Sequence, residues 1–187
     1  MTQKLLPKKL KLNYSKNVFD IIQFGSSLYK ENPKDIDIAV IYEKIPIKQQ
    51  LEESQEIKKQ LEKITRKPIH IKSFDLYSLL NISNFAREGI LHDGKSLISN
   101  SAFTLKFGLQ PKTYIYYSLK NLEKKEKIKF NYLLSGKGGS YGLLKKYGGK
   151  LLRPGLIEIN PNNEEIFSNS IKKFKISFKI EKIFLEI

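Results

Sequence analysis

The spacing of apolar and polar positions changes several times along the chain, and each change marks an element. Phe19, Ile21, Ile22 and Phe24 form a short apolar run, as expected of a strand buried in a sheet. Gly25-Ser26-Ser27 interrupts it with residues lacking bulk, where a backbone can approach a ligand closely. A polar loop containing Pro33 follows, and then Asp35 and Asp37 alternate with Ile36 and Ile38. Strand side chains alternate faces, so both carboxylates are expected on one face and both isoleucines on the other. After a break at Pro46, Ile47, Leu51, Ile57, Leu61 and Ile64 recur at roughly helical spacing among Glu, Gln and Lys. This predicts a helix over 47–64 with a charge-paired, solvated outer face. Beyond Pro68, residues 69–74 alternate as a third strand with Asp75 at its end, and 76–87 read as a helix. His92-Asp93-Gly94-Lys95 reads as a tight turn with His92 at the surface.

Residues 99–112, containing Ser99-Asn100-Ser101, Gly108 and Pro111, read as a linker between a first domain over 1–98 and a second over 113–187. In the second, a Tyr-rich strand is expected over 113–119 and a highly charged helix over 121–134. Gly136-Lys137-Gly138-Gly139 breaks that helix, and a short helix over 141–147 ends at Gly148-Gly149. A strand over 156–159, a helix over 163–174 and a long strand over 176–186 complete the reading. The first 17 residues read as a basic, partly extended lead-in with room for one short helix. The fold class is α+β, a mixed sheet with flanking helices followed by a small α+β domain, with no internal repeat.

Composition narrows the function classes. The 187 residues are 40% apolar, enough for an ordinary core, and contain no cysteine. Disulfides, thiolate metal sites and cysteine catalysis are therefore excluded. The basic start lacks a continuous apolar segment and no stretch is long enough to span a membrane, so a soluble, cytoplasmic protein without a membrane partner is expected. The net charge of +15 points to a polyanionic partner, and nucleic acid is the commonest. Lysine supplies nearly all of it, since Arg66, Arg87 and Arg153 are the only arginines. That bias fits in part the plain alternative, in which lysine-, isoleucine- and asparagine-rich usage reflects an AT-rich genome, since sequence-reading contacts favour Arg.

Two adjacent carboxylates repel unless a cation or a proton neutralises them, and with Gly-Ser nearby a divalent metal holding a nucleoside triphosphate is the natural suggestion. An apolar strand, Gly25-Ser26, a short loop and Asp35-Ile36-Asp37-Ile38 together resemble the nucleotidyltransferase superfamily, which includes DNA polymerase beta and the small MNT-type proteins. Glu88-Gly89-Ile90-Leu91 resembles the ending of such domains, so the likeness covers roughly residues 15–98. It implies that Asp35 and Asp37 are catalytic and ligate Mg²⁺ or Mn²⁺, while Gly25 and Ser26, with Ser27 and Lys30 as weaker candidates, contact the NTP phosphates. The third carboxylate of the superfamily falls, counting back from Glu88-Gly89, on His70. Asp75 is the nearest acid that could substitute. The implied activity is metal-dependent transfer of a nucleoside monophosphate to a hydroxyl on RNA or protein.

Gly136-Lys137-Gly138-Gly139 between two helices is similar to the glycine loop of the KH RNA-binding module, which lets a nucleic-acid backbone come close. The resemblance implies phosphate contacts from Lys137, Lys145, Lys146, Lys150 and Arg153, with stacking from Tyr141 and Tyr147. The plain alternative is a glycine-rich helix–helix turn among solvated lysines. Two other functions remain open: a catalytically degenerate RNA-binding scaffold of a ribonucleoprotein, and an antitoxin-like protein partner of a separate toxin. A small second domain after such a unit is similar to arrangements in archaeal proteins.

Overall fold

The computed structural model describes residues 6–7, 10–30, 32–138 and 140–187. The short helix allowed for in the lead-in falls partly on residues 1–5, 8 and 9, which lie outside the described residues, as does Gly139 of the glycine loop. The mixed α+β content expected from the sequence is present as two compact units, residues 1–109 and 110–187, each with its own four-stranded sheet.

In the first unit, β1 (Val18–Phe24), β2 (Ile36–Tyr42), β3 (Ile69–Asp75) and the short β4 (Lys95–Ser96) lie in the order β3-β2-β1-β4. β1 runs antiparallel to both β2 and β4, and β2 runs parallel to β3. Apolar residues pack on both faces of this sheet. Ile21, Ile36, Ile38, Val40 and Tyr42 pack on Ile57 and Leu61 of helix α1 (Ile47–Glu62). On the opposite face, Ile22, Phe24, Ala39 and Ile41 meet Leu79, Ala86, Ile90 and Phe103. Two-sided burial is why β1 and β2 read as near-continuous apolar runs.

Helix α1 buries a different stripe from the one its isoleucines suggest. Gln50, Ser54, Ile57 and Leu61 face inward, while Ile47, Leu51 and Ile64 are exposed. Two polar contacts fix this rotation: the Tyr42 hydroxyl meets Ser54 Oγ at 2.9 Å, and Gln50 Nε2 donates to the Ile45 carbonyl at 3.0 Å. A satisfied polar group inside costs little, so the inward face need not be apolar throughout.

The helix expected over 76–87 stops early, as α2 (Leu76–Leu80). Asn81 and Asn84 end it by bonding backbone locally, with Asn81 Oδ1 accepting from the Ser83 N–H at 2.9 Å and Asn84 Oδ1 from the Ala86 N–H at 3.0 Å. Such side-chain-to-backbone bonds compete directly with helical ones. The expected turn at 92–95 is instead mostly a π-helical turn, Gly89–Asp93. It packs against β1 and the 3₁₀ turns Gly25–Leu28 and Phe103–Phe107, so His92 is buried rather than at the surface, with Nδ1 2.8 Å from Asp93 Oδ1.

The expected linker over 99–112 is folded. Phe103 and Thr104 are buried in the Phe103–Phe107 turn, and Phe103 and Phe107 both pack on the Phe19 ring. Gly108, at φ +69°, ends that turn, and the chain passes directly into β5 (Leu109–Tyr117).

In the second unit, β5 is followed by α3 (Lys124–Ser135), α4 (Leu143–Tyr147), β6 (Lys150–Arg153), β7 (Leu156–Ile159), α5 (Glu164–Lys172) and β8 (Phe178–Glu186), with sheet order β6-β7-β5-β8. Ile115, Ile157 and Ile159 from the sheet enclose one core with Phe130 and Leu134 of α3, Leu144 of α4, and Phe167 and Ile171 of α5. The sequence reading had no β6. Its four residues are all exposed, so no burial alternation betrays it. It pairs antiparallel with β7 through the two-residue turn Pro154-Gly155, where Gly155 has φ +87°. Pro-Gly between two short apolar runs was the available signal.

Candidate active site

The turn that ends β1 is shaped by what lies beside it. Gly25 has φ +73°, where glycine is at ease and other residues are strained. A Cβ at Gly25 would lie 2.8 Å from Asp37 Oδ2. Backbone thus closes on the carboxylate, and a Cβ there would have to push the Asp37 carboxylate aside. Gln23 fastens the turn, its Nε2 donating to Ser27 Oγ at 3.0 Å and to the Ser27 carbonyl at 3.3 Å. The buried Ser27 hydroxyl donates in turn to the Phe24 carbonyl at 3.4 Å. Ser27 is therefore part of the fastening. Ser26 is half-buried and its carbonyl accepts from the Lys30 N–H at 2.9 Å, while Lys30 itself is exposed.

Asp35 and Asp37 flank the fully buried Ile36 and are each about one-third exposed, as alternation along a strand requires. Asp37 pairs across the sheet with Phe24 on one side and with His70 on the other. His70, 59% exposed, reaches over both acids, with Nδ1 3.4 Å from Asp35 Oδ2 and 3.8 Å from Asp37 Oδ1. Lys72, two residues on, shares that face. Asp75 does not join them. It stands opposite Tyr42, at the far end of β3, where its carboxylate accepts from the Ser78 N–H at 2.6 Å and caps α2. These bonds to Ser78 hold the Asp75 carboxyl below its ordinary range.

Burial, and next the charge of Asp35, raise the Asp37 carboxyl above its ordinary value of 3.8, against the pull of His70 and Lys72. A raised carboxyl stabilises the fold in its protonated form, fully so below the unfolded value, and that contribution is lost as pH rises through the folded value. Asp37→Asn, neutral throughout, should therefore raise Tm relative to the parent at about pH 7 and less so at about pH 3.5. Calorimetric melts across that range check this; a pH-independent difference would show that Asp37 is not strained by ionisation.

The two carboxylates form an oxygen-donor pair of the kind hard divalent cations favour, and the Gly25 cradle leaves Asp37 Oδ2 unobstructed by a side chain. His70 adds a nitrogen donor, which suits transition metals better than Mg²⁺. Among the described residues no group of three or more His, Cys, Asp or Glu is gathered as a metal-ligand set. The residues that would hold a cation are Asp35 and Asp37.

In the second unit, Gly136 and Gly142 draw the ends of the glycine loop together. A Cβ on Gly142 would sit 2.4 Å from Gly136 N and 2.3 Å from the Leu134 carbonyl oxygen, so the chain closes on itself there. Between them Ser140 Oγ donates to the Lys137 carbonyl at 2.6 Å and accepts from the Lys137 N–H at 3.1 Å. Lysines sit over tyrosine rings around the loop: Lys137 over Tyr132 at 5.2 Å, Lys145 over Tyr141 at 4.2 Å and Lys146 over Tyr147 at 5.3 Å. Tyr141 is largely exposed, and α4 packs beside β6, which carries Lys150 and Arg153. Of the residues singled out in the sequence, Lys137, Tyr141 and Lys145 lie around the loop and Lys150 opens β6, whereas the Tyr147 ring packs on Phe167 and Arg153 lies at the other end of β6 beside Tyr116 and Lys179. Sequence reasoning missed Gln23, whose role appears only once the turn folds back over it. It also missed an open cleft of about 490 Å³ where Arg153 meets Tyr116 and Lys179. Among the described residues no helix is long and apolar enough to cross a membrane. No protein-family model, curated protein or solved structure matches this chain.

Proposed function

We propose that the first unit binds a divalent-metal nucleoside triphosphate over Asp35 and Asp37 and transfers its nucleoside monophosphate to a hydroxyl, and that the second unit holds RNA. The observation that carries this reading is the close approach of Gly25 to Asp37, 2.8 Å from a built Cβ to Oδ2, beside a second carboxylate on the same face. A side-chain-free backbone against paired acids offers room for phosphates and donors for their cation. A cation bound there supplies charge neutralisation and in-line alignment of the triphosphate. The acceptor hydroxyl oxygen bonds to the α-phosphorus as the bond to the bridging oxygen breaks, and pyrophosphate leaves. His70, exposed and over both acids, takes the hydroxyl proton as general base.

The second unit supports the RNA half of this reading. Strand β5, helix α3, the glycine loop, helix α4 and strand β6 follow one another, which is the framing on which the resemblance to KH modules rests. One alternative has a specific observation behind it. His70 occupies the ground opposite the acids where the superfamily carries its third carboxylate, and this favours a scaffold that keeps RNA binding without catalysis.

Calorimetry with ATP and Mg²⁺ separates the two. Transfer predicts metal-dependent binding that Asp35→Ala abolishes and Gly25→Ala weakens about tenfold or more, because the new methyl displaces the Asp37 carboxylate. Absence of any metal-dependent nucleotide binding by the parent protein would leave the scaffold reading. On either reading, RNA affinity should fall steeply with salt and drop when Lys137 and Lys145 are both changed to Glu.

A further inference from the structure

The aspartate face of the first unit is only half covered. From its open end inward it carries Asp35, then Asp37 beside His70, then Ala39 beside Lys72, then Ile41 beside Phe74. Ala39 and Ile41 lie under Leu79, Ala86 and Ile90, so the cover begins where the acids end. Phe85 stands at that boundary. It is 82% exposed, although Ala86 next to it is buried, and the Lys72 ammonium lies 3.8 Å from its ring centroid. Tyr77 and Ile82 nearby are exposed to a similar degree, and what distinguishes Phe85 is the ammonium held over its ring.

The segment that displays Phe85 is held firmly. Asn84 Nδ2 donates to the Ser78 and Leu79 carbonyls at 3.2 and 3.3 Å, and its Oδ1 accepts from the Ala86 N–H. The Arg87 N–H donates to the Asn84 carbonyl at 3.0 Å. Both neighbours of Phe85 are therefore fixed, and Lys72 engages the ring. Lys72 lies two residues beyond His70 on the same face of β3, paired with Ala39, the next residue after Asp37 on that face, so the ring it engages stands one strand step from the acids.

We propose that Phe85, held by Lys72, is the stacking platform for the base of the nucleotide whose phosphates lie at Gly25, Asp35 and Asp37. This rests on the nucleotidyltransferase reading of that site. Lys72 covers one face of the ring, and the base lies on the other. Every base has a π face, so this platform supports any nucleoside triphosphate over bare triphosphate without choosing among bases.

The chain contains no tryptophan, so Phe85→Trp introduces a single fluorophore at the platform while keeping an aromatic face. With Mg²⁺ present, ATP should quench that fluorescence and inorganic tripolyphosphate should not. In calorimetry, Phe85→Ala should weaken ATP at least about fivefold and leave tripolyphosphate unchanged. Phe85 is a surface residue, so its variants should fold as the parent does. If tripolyphosphate binds with Mg²⁺ but ATP binds no better and Phe85→Ala loses nothing, the platform is wrong while the phosphate site stands. If the parent binds neither ligand, the nucleotidyltransferase reading falls and the platform falls with it.

Discussion

Replacing Lys106 with Met is expected to destabilise the first unit by about 4 kcal/mol, far more than loss of an exposed lysine such as Lys48. The reason lies on β1, where Asp20 is fully buried between the apolar residues Phe19 and Ile21. Its Oδ1 accepts from Ser96 Oγ at 2.7 Å and from the Ile21 N–H at 2.8 Å. Its Oδ2 faces Lys106 Nζ at 2.9 Å, and that ammonium also donates to the Phe19 carbonyl at 3.1 Å. Removing the cation strands a charge in an apolar interior, where a single unpaired ion costs several kcal/mol. Adding Asp20→Asn to Lys106→Met should recover part of the loss, because the remaining amide is neutral. Denaturant unfolding of the two single variants and the double variant gives the coupling directly. Additive losses would mean that the pair contributes nothing beyond its two side chains.

Gly142→Ala should destabilise the second unit by about 3 kcal/mol or more, while Gly138→Ala costs about 1 kcal/mol. The two glycines differ in kind. At Gly142 a Cβ would lie 2.3 Å from the Leu134 carbonyl oxygen and 2.4 Å from Gly136 N. Both obstacles are backbone, so no rotamer change relieves them and the loop must open. At Gly138 a Cβ meets nothing within 4 Å, and the cost is only that of φ +57° for an L residue. Gly138→Asn should therefore be milder still, since asparagine tolerates that region. Thermal melts of the three variants decide this. Equal losses at both positions would mean that the loop gives way to a Cβ at Gly142 and that its close approach to Leu134 and Gly136 is not what the glycine serves.

The sequence carried the strand–turn–strand around the acids because its signals are local. An apolar run, a small-residue turn and two alternating acids need no distant partner to be read. The regions misread were those where a distant residue decides. Asp20 was passed over because its partners, Ser96 and Lys106, lie more than seventy positions away. The inward face of α1 was misjudged because Tyr42 and the Ile45 carbonyl make Gln50 and Ser54 acceptable inside. The early end of α2 was legible in principle, since Asn81 and Asn84 are residues that favour turns over helix interiors. Strand β6 was hidden because its exposure on both faces leaves no periodic trace. At the candidate site, sequence position indicated that His70 stands opposite the acids, but its reach over both of them needed the register of β2 and β3.

The folding of residues 99–107 onto β1 changes where the chain can be divided. A fragment ending at Ile98 would discard Phe103, which is fully buried against Phe19, and Lys106, the counter-ion of Asp20. Such a fragment would keep every residue of the candidate site and still expose a hydrophobic hole and an uncompensated carboxylate in the strand that leads to Gly25. It should be recovered as aggregate, whereas a fragment ending at Leu109 should stay in solution. A protease should likewise find no foothold at Ser99 or Ser101 in the intact protein, polar as they are, because both are tied by hydrogen bonds to each other and to Ser96.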